Sequence, residues 1–311
     1  MIPENSSGPR DLPELTVFGT TKPFRGDIAT IQLNALRSWR LLDLRARILV
    51  FGDSEGTAAA CKELGIQHVP DIETNGSGTP LVSAMFTRAE QLHETALYCY
   101  VNADIILLSD FAQAVRRVAR LKRFLMVGRR WDVPIDRPWA FATADWEGRL
   151  VELTRRVGIR HPATGIDYFV YSSSLWGSIK PFAVGRTGWD SWLVYRARAL
   201  RAPVVDATDA VMAVHQNHDY SHHADGASGV WQGGEASRNR ELVGGQQYAF
   251  TIDDATHTLT DRGVRLAFSR RTVERRIAAF PVLHPGARFS APIIDLAGRL
   301  KRWTSHRLRV N

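Results

Sequence analysis

The first half of the chain alternates short apolar runs with segments of helical periodicity. Leu15 to Phe18, Arg47 to Phe51 and Gln67 to Val69 are mostly apolar and end near glycine, aspartate or proline, which is typical of buried strands. Between them, apolar residues recur every three or four positions, for example from Asp27 to Leu42, with Asp27 as the expected helix cap. Strands separated by such helices favour right-handed βαβ units and therefore an α/β fold with a mainly parallel sheet.

The longest apolar run, Leu97 to Leu108, is interrupted only by Asn102 and Asp104. A run that is apolar on both faces predicts one strand covered by helices on both sides. Because an unpaired buried carboxylate is costly, Asp104 is expected to be paired, to bind a cation or to lie in a ligand crevice at the strand end. The alternative is that Asp104 only caps the turn before the next helix.

Other polar groups stand at the ends of neighbouring predicted strands. Thr20 follows the first strand, Asp53 the second, and Arg130 the strand predicted at residues 124 to 128. A loop with Gly78 and Thr79 precedes a helix predicted from Pro80 to Thr95, and its small residues would let backbone amides approach a phosphate. A plain surface loop is the alternative.

The second half carries acids and histidines in turn-rich surroundings. Asp167 lies in the strand predicted at residues 165 to 171, and Asp190 precedes a helix predicted from Trp192 to Leu200, where it either caps the helix or takes part in catalysis. Four histidines follow within nine residues, a density that indicates metal binding or an ordered polar site: His215, His218, His222 and His223. The glycine- and serine-rich stretch from 226 to 245 predicts a mobile loop.

Positive charge is distributed unevenly along the chain. The 311 residues carry a formal charge of +8, but residues 262 to 311 hold twelve Lys or Arg and two acids, a net of +10, which leaves −2 for the remaining 261 residues. Basic helices are predicted from Arg270 to Phe280 and from Pro292 to Val310, and the second either packs on the protein or lies on an anionic membrane. The tail lacks the interleaved aromatic and basic residues that would favour nucleic-acid binding.

The compartment is predicted from cysteines and apolar stretches. Cys61 and Cys99 lie in apolar surroundings without metal spacing, which indicates reduced core thiols. Neither a signal peptide nor eighteen successive apolar residues is present, so we expect a cytoplasmic protein, with the inner face of the membrane as a further location. The expected organisation is a flexible segment 1–14, a domain 15–250 with halves 15–132 and 133–250, and a basic helical extension 251–311.

Together, the strand followed by Gly52-Asp53, the glycine loop and the Asn102-Ala103-Asp104 strand end resemble the GT-A glycosyltransferases, a superfamily of nucleotide-diphospho-sugar transferases. The resemblance covers roughly residues 15 to 224. It implies a GT-A, Rossmann-like fold and transfer of a sugar to an acceptor hydroxyl in glycan or glycoconjugate synthesis. A UDP-sugar is the donor it favours, and a saccharide or glycolipid the acceptor.

The resemblance also implies roles for individual residues. Asp53 would contact the nucleoside, and Thr20 and Thr79, with Gly78, would line its pocket. Asn102 stands where the family's motif has its first aspartate, so Asn102 would bind a hydroxyl while Asp104 holds Mn²⁺ or Mg²⁺ together with His215 or His218. Because guanidinium groups pair with phosphate oxygens, Arg129 or Arg130 would assist the diphosphate, and Asp190 or Asp167 would be the general base if the reaction inverts configuration.

Two other functions compete with this one. A nucleotidyltransferase on a related sheet is disfavoured, because the first strand is not followed by a glycine-rich loop containing Arg or Lys for phosphates. A non-catalytic nucleotide-sugar-binding protein stays open, because the amide of Asn102 removes one charge from the expected metal site.

Overall fold

The computed structural model describes residues 13–218 and 231–287. Its strands are β1 (Glu14–Thr20), β2 (Arg45–Phe51), β3 (Gln67–Val69), β4 (Leu97–Val101), β5 (Ile105–Ile106), β6 (Leu125–Val127), β7 (Arg130–Val133), β8 (Ile159–Arg160), β9 (Tyr168–Ser172), β10 (Val204–Asp206), β11 (Ala213–Gln216), β12 (His257–Thr260) and β13 (Gly263–Leu266). Its α-helices are α1 (Gly26–Arg40), α2 (Thr57–Leu64), α3 (Val82–Leu92), α4 (Ser109–Val118), α5 (Trp146–Val157), α6 (Trp189–Ala199), α7 (Gly234–Val243) and α8 (Arg270–Leu283).

Within these residues, a nine-stranded sheet has the order β13-β12-β10-β6-β9-β4-β1-β2-β3. All neighbouring strands are parallel except where β9 pairs with β4 and β6 and where β13 pairs with β12. The predicted mixed, mainly parallel sheet flanked by helices is therefore confirmed.

The core lies on both faces of this sheet, because the central strands β4 and β9 are buried along their whole length. Cys61 and Cys99 are free and buried, as predicted. Close approach of β1 to β4 depends on Gly19, since a Cβ atom there would lie 2.4 Å from the carbonyl oxygen of Val101. The strand ends that carry the polar groups are thereby held side by side.

The run from Leu97 to Leu108 is not the single strand that its pattern predicts. β4 ends at Val101, the chain turns at Ala103 and Asp104, and β5 begins at Ile105 in a different sheet. The turn is stabilised by the amide of Ile105, which donates to the carbonyl of Asn102 at 3.1 Å. Both parts are buried, so hydrophobicity alone cannot reveal the break.

The second sheet has four short strands in the order β5-β11-β7-β8. β11 pairs antiparallel with β5 and parallel with β7, and β7 pairs antiparallel with β8. This sheet crosses the carboxyl ends of β4 and β6, because β5 follows β4 and β7 follows β6 along the chain.

Several local expectations need correction. Residues 234–243, predicted within a mobile loop, form α7, which is fixed by Asn239: its side chain exchanges two hydrogen bonds of 2.9 Å with the backbone of Ala183. Asp27 lies in the first turn of α1, and Arg25 takes the cap position. Residues 257–266, expected in a helical extension, form β12 and β13 and pair with the large sheet.

The basic helix that begins at Arg270 is confirmed as α8. The helix predicted from residue 292 to 310, His222 and His223, and the segment 1–12 lie outside the described residues. In the part of the chain that is described, no helix is both long enough and apolar enough to cross a membrane.

Candidate active site

The four-stranded sheet brings three of the polar side chains together. His215, on β11, is the register partner of Ile105 on one side and of Asp132 on the other. Asp104 comes immediately before Ile105, so its carboxylate lies beside the same histidine. The amide of Gln216 and its side-chain Nε2 both donate to the carbonyl of Asp104 at 3.2 Å, and this fixes the turn.

Asp104, His215 and His218 form a group whose ligand atoms all lie within 4.8 Å of one another. Asp104 Oδ2 is 3.3 Å from His218 Nε2 and 3.7 Å from His215 Nε2. The other carboxylate oxygen, Oδ1, is buried and has no hydrogen-bond partner among the described residues. A buried carboxylate oxygen without a partner is costly, so the geometry fits a bound cation.

The charges around Asp104 favour its ionised form. Burial opposes ionisation, but the charges of His215, His218 and Lys22 together hold the pKa of Asp104 well below its usual range. Burial likewise opposes protonation of His215, and the neighbouring Asp104 and Asp132 carboxylates raise its pKa nonetheless. The Asp104 carboxylate therefore lies next to groups that stabilise its negative charge. This is expected of a site where protons and a metal ion compete for the same ligand atoms.

Asp132 is a central residue of this network that the sequence did not single out as a ligand. Its Oδ1 accepts from Arg130 Nε at 2.8 Å and lies 3.1 Å from His215 Nδ1, and its Oδ2 lies 2.7 Å from His161 Nδ1. Burial opposes ionisation of Asp132, but these partners hold its pKa well below its usual range. The position of Asp132 orients His215, as carboxylates next to metal-binding histidines commonly do.

Asn102 contacts Asp167. The Asn102 amide nitrogen donates to Asp167 Oδ1 at 2.6 Å, and the Tyr100 hydroxyl donates to Asn102 Oδ1 at 2.9 Å. Arg130 Nη1 donates to the remaining Asp167 oxygen, Oδ2, at 3.0 Å. A carboxylate requires donors, so the residue at position 102 must supply an N–H group towards Asp167.

Asp190, predicted to precede the helix, lies in the first turn of α6, because α6 begins at Trp189 and not at Trp192. Asp190 is not among the residues that line the crevice described below. Burial, with a further contribution from the charge of Asp167, raises its pKa from the ordinary 3.8 to about 6. A carboxyl group with such a pKa can accept a proton near neutral pH.

A crevice with a volume of about 350 Å³ opens beside the group formed by Asp104, His215 and His218. Of the predicted site residues, it is lined by Thr20, Gly78, Thr79, Asn102, Asp104 and His218. Asp53 is exposed and does not line it, whereas the adjacent Ser54 does. A neighbouring cavity of about 640 Å³ shares several lining residues with the crevice, among them Lys22, Ile31 and His218. There is therefore room for one ligand on each side of His218.

Two cations that the sequence did not single out also line the crevice, Lys22 and Arg186. Burial, together with the charge of Arg186, lowers the pKa of Lys22, although the charge of Asp104 opposes this. The Lys22 backbone is fixed by Gln32, whose side chain accepts from the Lys22 amide at 2.6 Å and donates to its carbonyl at 2.9 Å. Two partly buried cations on one crevice are suited to an anionic ligand.

Arg186 is held by α7. Its Nη2 lies 2.6 Å from Glu235 Oε2, and the other oxygen of Glu235 accepts from Asn75 Nδ2 at 2.5 Å. Burial opposes ionisation of Glu235, but hydrogen bonds from Asn75 and Thr79 and the charge of Arg186 lower its pKa. Glu235 thus joins the glycine loop to the loop that carries Arg186.

The glycine loop does not offer its amides as the sequence suggests. The backbone N–H groups of Ser77 and Thr79 both donate to Asn75 Oδ1, at 2.9 and 3.0 Å, and that of Gly78 donates to the carbonyl of Asn75. The following helix, α3, begins at Val82, later than expected. Gly78 and Thr79 therefore line the crevice without forming the predicted cradle of free amides.

No family model and no curated protein sequence matches this chain. Among solved structures, S. aureus TarS 1-349 in complex with UDP-GlcNAc is similar at a TM-score of 0.50, with 10% identity over 87% of this chain and 72% of that chain. The mannosyltransferase PcManGT from Pyrobaculum calidifontis, in complex with GDP-Man and Mn²⁺, gives 0.46, with 15% identity over 92% of this chain and 74% of that chain.

A longer structure of S. aureus TarS gives a TM-score of 0.45 and 12% identity, and the match covers 66% of this chain but only 37% of that chain. This chain thus spans less than half the length of that protein. At 10% identity, the likeness to TarS 1-349 shows the fold alone. The chain has the GT-A-like fold that its sequence predicts.

Proposed function

We propose that this chain is a glycosyltransferase that moves a sugar from a nucleotide-diphospho-sugar to an acceptor hydroxyl. The observation that carries the proposal is the placement of Asp104, His215 and His218 beside a crevice lined by Lys22 and Arg186. The crevice lies at the carboxyl ends of the parallel strands, where α/β sheets bind ligands. A UDP-sugar is the donor that we favour, in keeping with the UDP-GlcNAc complex of TarS.

The proposed metal ligands are Asp104, His215 and His218. One carboxylate and two imidazoles suit Mn²⁺ better than Mg²⁺, which prefers oxygen ligands. A divalent cation held there would neutralise negative charge on the departing diphosphate. Metal dependence is part of the proposal, and the unpartnered Oδ1 of Asp104 supports it.

The other roles follow from what each side chain contacts. Lys22 and Arg186 would bind the diphosphate oxygens, because each lines the crevice and carries positive charge. Arg130, assigned to the diphosphate by sequence, is engaged by Asp132 and Asp167, so we assign it to holding these two acids in place. Thr20 and Thr79 would contact the nucleoside, and the assignment of Asp53 to it rests on the sequence resemblance.

Asp190 is the better candidate for the general base. Asp167 Oδ1 accepts a short hydrogen bond from Asn102, and Asp167 Oδ2 accepts a charge-assisted one from Arg130. Because both oxygens already have donors, Asp167 is poorly suited to remove a proton. Asp190, with a pKa of about 6, can take the proton of an acceptor hydroxyl in an inverting reaction. We therefore propose Asp190 as the base and Asp167 as a positioning residue.

A thermal-shift panel of UDP-, GDP-, dTDP- and CMP-sugars, each with and without Mn²⁺, tests donor binding. A ligand that binds the folded state raises its stability, so one nucleotide class should raise the melting temperature, and more so with Mn²⁺. Release of the nucleoside diphosphate from that donor, followed with saccharide and glycolipid acceptors, then tests transfer. Stabilisation by free nucleotides without any turnover would favour the non-catalytic binding protein.

A further inference from the structure

A second cavity lies at the opposite edge of the large sheet. Its volume is about 380 Å³, and it is formed where β10 and β12 begin, next to the end of α6 and to α8. The crevice lies where the parallel strands end, so the two sites face opposite edges of the sheet. Five basic side chains line the cavity: Arg198, Arg201, His257, Arg276 and His284.

Among the described residues, no acidic residue lines this cavity. Within the described ranges, none of Arg198, Arg201 and Arg276 forms an ion pair with a carboxylate. Arg276 Nη2 donates instead to the carbonyls of Thr256 and Ala267, at 2.9 and 2.8 Å, and Arg198 donates to the carbonyl of Asp254. These contacts fix the guanidinium groups without neutralising them.

The nearest acid is already occupied. The Asp254 carboxylate is bound through both oxygens by Arg275, at 2.9 and 2.6 Å. Burial lowers the pKa of Arg198; the charges of Arg276 and Arg275 act in the same direction, and the charge of Asp254 opposes them. Burial and the charge of Arg276 also lower the pKa of His257. The cavity therefore concentrates positive charge that the surrounding protein does not balance.

We propose that this cavity is a binding site for a phosphate group, separate from the donor crevice. Guanidinium groups pair with phosphate oxygens through several N–H donors, and a phosphate dianion would offset two of the three arginine charges. The rim carries two large exposed apolar side chains, Leu266 at 71% and Phe268 at 87% exposure, and Leu266 also lines the cavity. The phosphate belongs either to a soluble compound or to the headgroup of an anionic lipid, into whose membrane this rim would insert.

The first arm of the test uses inorganic phosphate and the full-length chain. NMR signals of the His257 imidazole, assigned through His257→Gln, should shift saturably as phosphate is added. Arg201 is exposed and no side-chain contact within the described residues depends on it, so Arg201→Gln should fold normally and weaken this binding about tenfold. Arg156→Gln, an equally exposed arginine on α5, is the matched control and should leave the titration unchanged.

Phosphate can also enter the donor crevice, but that binding is reported by the His215 and His218 signals. Lys22→Gln should weaken the response of those two histidines and leave that of His257 unchanged. Failure of the proposed glycosyltransferase activity would therefore leave this titration intact, and the two proposals can fail separately.

The second arm uses co-sedimentation with phosphatidylcholine vesicles that contain phosphatidic acid, against phosphatidylcholine alone. Binding that is reduced by Arg201→Gln and by Leu266→Ser, but not by Ile159→Ser, whose 72% exposure matches the 71% of Leu266, supports the lipid headgroup. A His257 response that Arg201→Gln weakens, without such vesicle binding, supports a soluble phosphate compound. A His257 response that is absent, or that Arg201→Gln leaves unchanged, overturns the site.

Discussion

The two walls of the crevice hold their charged groups in different ways. On one wall, Asp104 directly precedes a strand of the four-stranded sheet, and the register of that sheet places His215 and Asp132 next to it. On the other wall, Lys22 and Arg186 come from loops, and Arg186 is held by a single carboxylate, that of Glu235. On the first wall each acid has several partners, whereas on the second wall the Glu235 carboxylate joins two loops.

This difference separates two expected kinds of effect. Groups on rigid strands with several partners are positioned precisely, as a reacting centre requires. Groups on loops can adjust to the ligand and release it. We therefore expect changes on the strand wall to lower kcat and changes on the loop wall to raise the KM of the donor, and the predictions for residues of the two walls test this division.

The largest effect is expected from Asp104→Asn. The substitution keeps the shape but removes the only carboxylate of the metal-binding group, so kcat of sugar transfer should fall by about a thousandfold. Mn²⁺ should also no longer enhance the thermal shift that the donor produces. Asp261→Asn, at an exposed carboxylate on the turn between β12 and β13, is the control and should retain activity. Full activity of Asp104→Asn at saturating donor would exclude the proposed site.

Asp190→Asn should lower kcat by about a hundredfold to a thousandfold if Asp190 is the general base. In the wild type, kcat should rise as the pH passes about 6, because the ionised carboxylate is the active form, and the variant should lose this rise. A pH profile with the same midpoint in both proteins would assign the base to another group.

The same substitution has a measurable effect on stability. The pKa of Asp190 is raised from 3.8 in the unfolded chain to about 6 in the folded protein, so the folded state binds this proton more tightly. Its contribution to the free energy of unfolding is therefore favourable below about pH 4 and is lost as the pH rises through about 6. At pH 7, Asp190→Asn should raise the free energy of unfolding by about 1 to 3 kcal/mol, measured by urea titration.

The two walls also differ in the reason why the sequence does not predict them, although it does predict the large sheet. The central strands β4 and β9 of the large sheet are continuous, largely apolar runs, and β3 has the bounds that the sequence predicts. The small sheet could not be predicted, because β7 reads Arg-Trp-Asp-Val and its partners are distant in the chain. The roles of Asp132 and His161 were missed for this reason, although a carboxylate two residues after Arg130 was a visible signal.

The loop wall was missed for another reason. The composition of residues 226 to 245 predicts a loop, and α7 has few apolar positions. The helix is stabilised by tertiary contacts instead: Ala236 and Val243 are buried, and Asn239 bonds the backbone of Ala183. Glu235 and Arg186 acquire a role only through this packing, which no local pattern reports.

A smaller effect on the strand wall is expected from Asn102→Asp, which introduces the aspartate that the motif of the GT-A glycosyltransferases, which this strand end resembles, has at this position. The new carboxylate would lie where an amide now donates to Asp167 at 2.6 Å, so two negative charges would meet and one hydrogen bond would be lost. We expect the free energy of unfolding to fall by about 1 to 3 kcal/mol and kcat by about tenfold.

The double variant Asn102→Asp/Asp167→Asn tests the cause of this loss. It exchanges the two groups and restores an amide facing a carboxylate, so part of the stability should return. A double-mutant cycle measured by urea denaturation gives the coupling between the two positions. Additive losses would show that Asn102 does not act through Asp167.

The smallest effect is expected on the loop wall, from Glu235→Gln. The amide keeps the hydrogen-bonding shape but loses the charge that holds Arg186, whose side chain is only 15% exposed. Arg186 should then sample other orientations, and the KM of the donor should rise about fivefold while kcat changes little. Glu241→Gln is the matched control, because Glu241 lies on the same helix and pairs with Arg238 at 65% exposure, where an ion pair contributes little. If Glu235→Gln instead lowered kcat at an unchanged KM, the loop wall would take part in the chemical step, and the division between the two walls would be wrong.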